Sequence, residues 1–450
     1  MRIHPALVCV LFPLIAGCVG CHGPYYETDD ITGDTGDDTG DPTLPPCDGP
    51  AASEGWDRDL LHMDLAVDLD ALSAVATITV AASSAEGLSL EVQGLTISAV
   101  SIDGCVPDWQ VTDGQLHLGV PVADEDPVLT VAYSFAVQSD YDGWLARDLT
   151  FTWPYFCGNL FPCHSDPADG LSMDLTVTTA SEGDVVVYPP SIPADAPSYQ
   201  LAWARGVYER LELGTTAGGV DLEVWYLPGG EGAAIQGTAS LVAAWEWFEA
   251  TLGPYPFGDS AGGVQADWGA GGYGGMEHHP LWHVGTPSMG DRVTQIHEAV
   301  HGWYGSGVRV ACWEDFVLSE GTVTYLTARA ITEVLGADAG AETWAEYDDA
   351  LAWSLEHEVV AAWPDSCGEV DILDDGLFSY APYYRGAEFY RLYAEQAGVD
   401  ALDAALGSFF VDHATQATTM RALMDHLHLE TGVDPMPLAE AWLRSTSGPE

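Results

Sequence analysis

A chain of 450 residues, 47% of them apolar, can bury more than one ordinary core, so two domains is the starting expectation. Its formal charge of −57 comes from 69 acidic residues against 12 basic ones, all of them arginine. Such a surface disfavours nucleic acid and anionic lipid as partners and favours cationic ligands.

At the start, Arg2, the apolar stretch Ala6 to Ile15 and the small residues before Cys18 read as a signal peptide over residues 1–17, too short to stay in a bilayer. Ile15-Ala16-Gly17-Cys18 resembles the bacterial lipobox, which implies a lipid on Cys18; an ordinary signal peptide cut nearby is the other reading. No later run approaches eighteen uncharged apolar residues, so the only expected membrane contact is that anchor. The expectation is an exported lipoprotein on the cell envelope, with the outer membrane suspected. Tyr25 to Pro46 is rich in Asp, Gly, Thr and Pro and cannot bury enough surface to fold, so 18–54 is expected as a linker, with weak calcium binding as the alternative. With Cys9 in the signal and Cys18 lipidated, Cys21, Cys47, Cys105, Cys157, Cys163, Cys312 and Cys367 are expected in disulfides. Cys157 with Cys163 closes a small loop and Cys312 with Cys367 brackets a longer one, although sequence does not fix the connectivity.

From Leu61 on, Met63, Leu65, Val67 and Leu69 alternate with polar positions. The same period of two returns at Leu88-Leu90-Val92, Leu116-Leu118-Val120 and Leu171-Met173-Leu175-Val177. Antiparallel sheet is predicted from about Asp57 to Leu227. After Pro228 the period changes: Leu241, Trp245, Phe248 and Leu252 share a helical face, and a strand-like Gly263-Val264-Gln265-Ala266 follows. Further helices are predicted from near Ser319 to a stop at Gly336, and around Glu342 to Ala362, Ala387 to Ala397 and Thr418 to Leu429. The fold class is α+β, an antiparallel β-sandwich over 55–220 followed by a mainly helical domain over 221–450.

Within that second domain, His297-Glu298-Ala-Val-His301 sets two histidines four apart on one helical face, a pair that can bind one Zn²⁺. Fourteen histidines in this chain give H-E-x-x-H by chance with probability about 3 in 100. Glu320, eighteen residues beyond His301 in a second helical pattern, supplies a third ligand and lowers the chance figure to about 2 in 1000. The competing reading is a packed histidine pair beside a solvated carboxylate.

These residues resemble the aminopeptidase N family of zinc peptidases, the gluzincins, whose pattern is H-E-x-x-H, eighteen residues, then Glu in an N-E-G-like context; here the context is Ser319-Glu320-Gly321. Upstream, Gly274-Gly275-Met276-Glu277-His278 is similar to the family's G-A-M-E-N. The resemblance implies that Glu277 grips the substrate's α-amine and that Gly274 and Gly275 let substrate backbone pair alongside. Downstream, Tyr383-Tyr384-Arg385-Gly386 is similar to Y-x-K-G, which makes Tyr383 the oxyanion-stabilising residue. Leu160-Phe161-Pro162-Cys163 before Asp166-Pro167 is similar to the family's N-terminal saddle domain. A saddle-like β domain and a thermolysin-like catalytic domain are therefore expected, with a C-terminal remainder too short for the large helical domain of many relatives.

The resemblance implies one zinc per chain, Glu298 as general base and Tyr383 as oxyanion donor, acting on peptides with a free N-terminus. Asp315 is expected to orient a zinc histidine, or else to be an exposed acid at a helix start. Two other readings use the same residues, a zinc endopeptidase with an open cleft and a non-catalytic binding module.

Overall fold

Met63, Leu65 and Val67 are buried along β1 (Leu60–Asp68), so the period of two does become a half-buried strand. The structure, a computed structural model, describes residues 44–269 and 272–449. The expected signal sequence, Cys9, Cys18 with its lipobox, Cys21 and most of the linker lie outside the described residues. The linker's last part does not run free: Cys47 is disulfide-bonded to Cys105 and Ser53 bridges Leu118.

β1 is joined by β2 (Ser73–Val80), β3 (Thr96–Ile102), β4 (Val128–Ser134), β5 (Leu171–Thr178) and β6 (Ser191–Ala196) in the order β6-β5-β1-β2-β4-β3. Two pairings depart from the antiparallel expectation: β1 and β5 run parallel, with Met63 opposite Met173 and Leu65 opposite Leu175, and so do Val137–Gln138 and Trp144–Leu145. Alternation fixes which face a residue takes and leaves the direction of the neighbouring strand open. A three-stranded sheet carrying Leu88, Leu90, Leu116 and Leu118, and a five-stranded one from 137–206, share the same continuous core.

The next sheet begins earlier than the expected domain boundary. β7 (Glu209–Thr215) and β8 (Asp221–Tyr226) pair with each other, and β8 pairs with β9 (Ser260–Ala266), so both belong to the sheet under the helices. Its order is β7-β8-β9-β11-β10, with β10 (Gly275–Met276) on the edge, antiparallel to β11 (Leu281–Gly285).

Nine helices pack on this sheet and on each other among the described residues: α1 (Glu231–Thr238), α2 (Leu241–Thr251), α3 (Arg292–Val300), α4 (Phe316–Leu335), α5 (Ala337–His357), α6 (Gly386–Ala397), α7 (Val399–His413), α8 (Met420–Thr431) and α9 (Met436–Trp442). Gly336 ends α4 as expected, at a φ of 96° that favours glycine, and the chain enters α5 at once. That helix consequently starts before the predicted Glu342 and stops short of Ala362. Weak apolar periodicity hid α1 and α7.

The two halves are tied by bonds to main chain. Arg309 donates to the carbonyls of Asp195 at 2.8 Å and Ala168 at 3.3 Å, Gln200 Nε2 donates to the His279 carbonyl at 2.9 Å, and the Tyr141 hydroxyl donates to the Trp268 carbonyl at 3.0 Å. Cys157–Cys163 and Cys312–Cys367 are disulfides, matching the two suggested pairings. No helix among the described residues is long and apolar enough to cross a membrane.

Candidate metal centre

Asp291 starts α3 by accepting from the backbone N–H groups of Val293 and Thr294, and Ile296, Ala299 and Val300 anchor the helix in the core. This leaves His297 and His301 facing α4, where Glu320 projects, and Glu298 facing the edge strand β10. Nε2 of His297 lies 3.3 Å from Nε2 of His301, and Glu320 Oε2 lies 3.2 Å from the first and 3.6 Å from the second. Ligands held at about 2.0–2.2 Å from one tetrahedral zinc are separated by about 3.3–3.6 Å, so the three atoms fit its face. His301 Nδ1–H donates to the Tyr304 carbonyl at 3.0 Å, which turns the Nε2 lone pair inward. Two inward imidazole nitrogens and a carboxylate in a buried pocket are a donor set that calls for a cation.

The local field says the same. Burial opposes the charged form of His301, yet Glu320, Glu277 and Glu298 hold its pKa up, to about 9. Burial pushes Glu298 well above the usual carboxylate range and Glu277 up to about 7. Carboxylate oxygens of Glu277 and Glu298 lie within 4.8 Å of each other and of a ring nitrogen of His301. The G-G-M-E segment and the H-E-x-x-H helix thus meet at one site.

Gly275 shows why. A Cβ there would lie 2.1 Å from Glu298 Oε1, so glycine lets the edge strand β10 pass the carboxylate without displacing it; at Gly274 the nearest obstacle, Ser288 Oγ, is 3.7 Å away. The outer edge of β10 has no strand beside it among the described residues. His279, unremarked by any motif, clamps this edge to the helix. Burial pushes its pKa down to about 3, so the neutral ring accepts from Tyr255 Oη at 2.9 Å and donates through Nε2–H to the Glu298 carbonyl at 2.8 Å. His278, in the family's Asn position, packs against His283 and Phe151 instead of the donor set.

Tyr383 lies in a π-helical turn, Ala381–Arg385, that leads into α6. Its ring stacks over His297 with centroids 6.1 Å apart, whereas Tyr384 packs on Tyr347 and Tyr380. The motif glycines explain the approach: a Cβ on Gly386 would lie 2.5 Å from Gly321 Cα, so α4 and α6 touch backbone to backbone next to Glu320. Arg385, in the family's Lys position, is buried and donates to the carbonyls of Val360, Ser445, Ser354 and Glu358, a structural task.

Asp315 corrects an expectation. Its carboxylate accepts from Trp363 Nε1–H at 2.9 Å, and His301 has the Tyr304 carbonyl as partner, so neither proposed role for Asp315 holds: it is buried and does not orient His301. Sequence reasoning also missed Tyr199, brought by the first domain into hydrogen-bonding contact with Glu277. No spacing signal ties it to a site so distant in the chain.

A β-rich first domain and a mixed sheet backed by helices make an α+β architecture, in which Glu320 faces the H-E-x-x-H helix. Residues 288–442 match the peptidase family M1 domain, and the relatives this chain is similar to are aminopeptidases and M1 zinc metallopeptidases. Among curated proteins, the chain is 26% identical to aminopeptidase Ey of Gallus gallus over 269 residues, 54% of this chain and 26% of that one. It is 24% identical to aminopeptidase N of Homo sapiens over 359 residues, 65% of this chain and 36% of that one. The chain therefore spans about a quarter to about a third of these relatives' length. Among solved structures, an M1 zinc metallopeptidase from Deinococcus radiodurans superposes with a TM-score of 0.74 at 20% identity, covering 89% of this chain and 96% of that one. Yeast LTA4 hydrolase gives 0.75 at 18% identity, covering 87% and 69%.

Proposed function

We propose that the protein is a zinc aminopeptidase that removes N-terminal residues from peptides, with one zinc held by His297, His301 and Glu320. When bound, zinc supplies Lewis-acid polarisation of the scissile carbonyl and a water that gives up its proton near neutral pH. Glu298 takes that proton and delivers it to the leaving amine, a role suited to a carboxylate whose pKa burial has raised. Tyr383 donates its hydroxyl proton to the oxyanion as charge develops there. β10 offers its free edge to the substrate backbone, and Glu277 pairs with the α-ammonium group.

The observation that carries the exopeptidase reading is the convergence of Glu277 with Glu298 and His301 in one buried cluster. It puts an amine-sized counter-charge within one residue's reach of the bond to be cut. A charged hydrogen bond there contributes about 1.5–3 kcal/mol, which N-acetylation removes. Mass spectrometry of one peptide, free and acetylated, tests this. Stepwise loss of residues from the free form alone is expected, and Glu277→Ala should abolish that preference while retaining zinc. Internal cuts in both forms at similar rates would mean an endopeptidase. We further propose, from the sequence, that the protein is exported and anchored through a lipid on Cys18. Labelling with radioactive palmitate, lost in Cys18→Ser, is the check.

A further inference from the structure

We infer that the outer face of the first domain carries a second metal site, formed by His62 and Asp64 on β1 and Asp174 on β5, that takes a divalent transition cation of the zinc kind. It shares no residue with the candidate metal centre and does not depend on the aminopeptidase reading. The parallel pairing of β1 with β5 sets Asp64 directly opposite Asp174 and His62 directly opposite Ser172. Met63 and Met173 between them are buried, so these four residues share the outer face, with His62 half-buried and both aspartates exposed. His62 Nε2 lies 3.7 Å from Asp64 Oδ1 and 3.8 Å from Asp174 Oδ2, and one ligand atom from each of the three residues lies within 4.8 Å of the others. Those separations exceed the reach of a hydrogen bond from a ring N–H, about 2.7–3.2 Å. They stand just above the roughly 3.3–3.6 Å between ligands of one tetrahedral zinc, a gap that exposed side chains close by small rotations.

The ring is oriented by groups that are not ligands. Ser172 Oγ has one hydrogen, which it donates to the Leu61 carbonyl at 3.2 Å, so at 2.9 Å it accepts from His62 Nδ1–H. That bond turns the Nε2 lone pair towards the two carboxylates, the arrangement by which a metal-binding histidine is held from its other nitrogen. Among the described residues neither aspartate pairs with an arginine, and the positions opposite on β2 and β6, Thr77, Thr79 and Ser191, carry no charge. The site is therefore three acceptors without a donor, on a chain of net charge −57 that has no lysine to offer. The donor set also chooses the ion. Oxygen ligands alone suit calcium or magnesium, whereas an imidazole nitrogen moves the preference to zinc and its transition-metal neighbours. A bound ion would tie together strands whose facing residues, His62 and Ser172, lie 110 apart in the chain, and so stabilise the first domain by binding only its folded form.

The experiment uses the whole protein already holding one zinc. Calorimetric titration with zinc chloride should show one further equivalent bound, and the melting midpoint should rise as it binds. His62→Ala and Asp174→Asn should each weaken that second equivalent by about ten-fold or more, and Ser172→Ala by about ten-fold through loss of the ring's support. The first equivalent, and turnover measured with it alone, should stay as in the wild type. Asp174→Asn keeps the size of an exposed side chain, so the test stands even if His62→Ala does not fold. Calcium chloride at the same concentration should leave the second zinc in place. The inference is overturned if no second equivalent binds below about 0.1 mM free zinc. It is overturned too if the variants bind it as tightly as the wild type, because the ion then sits elsewhere, or if calcium displaces it, because the imidazole is then not a ligand. A proton can occupy the same three groups as an imidazolium between two aspartates. A wild-type melting curve indifferent to zinc would mark that occupant and end the metal reading.

Discussion

Asp315 is a carboxylate whose burial is felt as a pH dependence. Burial pushes its pKa up to about 6 from an ordinary 3.8, although the Trp363 indole N–H donates to it. The folded state thus favours the protonated form: this contribution to stability is full below the unfolded value and is lost as pH rises through about 6. The shift corresponds to roughly 1–3 kcal/mol. Asp315→Asn keeps an acceptor for Trp363 and cannot ionise. Thermal melts of both proteins from about pH 4 to about pH 8 should show the variant gaining on the wild type by that amount. A constant difference across the range would mean that Asp315 does not ionise in the folded state. The same residue marks a limit of reading along the chain. His297, Glu298 and His301 were legible because one helical turn fixes their relation, and Glu320 because it follows His301 after eighteen residues in a second helical pattern. Asp315 sits close to them in sequence, yet its carboxylate meets Trp363, and spacing alone gives no such direction.

At the scale of elements, the contact between Gly321 and Gly386 seats α6 and Tyr383 against α4 and Glu320. Both glycines belong to motifs that sequence comparison singles out, but that they touch each other is visible only in the fold. Gly386→Ala would force the helices apart, at a cost of about 1–3 kcal/mol in stability. It would also move Tyr383 off His297 and lower kcat by about ten-fold or more. Zinc content should be retained if the proposed ligands on α3 and α4 keep their places. Turnover within about two-fold of the wild type would show that the helices have slack there. Other element-level features were hidden for related reasons. The parallel β1–β5 pairing reads as antiparallel because both share a period of two. Cys47–Cys105 joins segments that nothing local relates.

For the whole molecule the dominant number is −57, set against 12 arginines. Self-repulsion of this size opposes the compact state and is relieved as the screening length shrinks from about 30 Å at 0.01 M salt to about 8 Å at 0.15 M. The melting midpoint should therefore climb over that range, by several degrees. A flat or falling midpoint would mean that local pairing already neutralises the charge. Composition made this legible from the outset, whereas the way the halves are joined was not.

That joint has an evolutionary consequence. Arg309, Gln200 and Tyr141 all reach across to carbonyl oxygens of the main chain, at Asp195, Ala168, His279 and Trp268. A carbonyl is present whatever residue bears it. Replacement on the accepting side therefore leaves the acceptor in place, so these bonds survive as long as their three donors are inherited. Drift at those four accepting positions then needs no compensating change in the donors. A superposition at a TM-score of 0.74 with 20% identity is the kind of divergence such a joint permits.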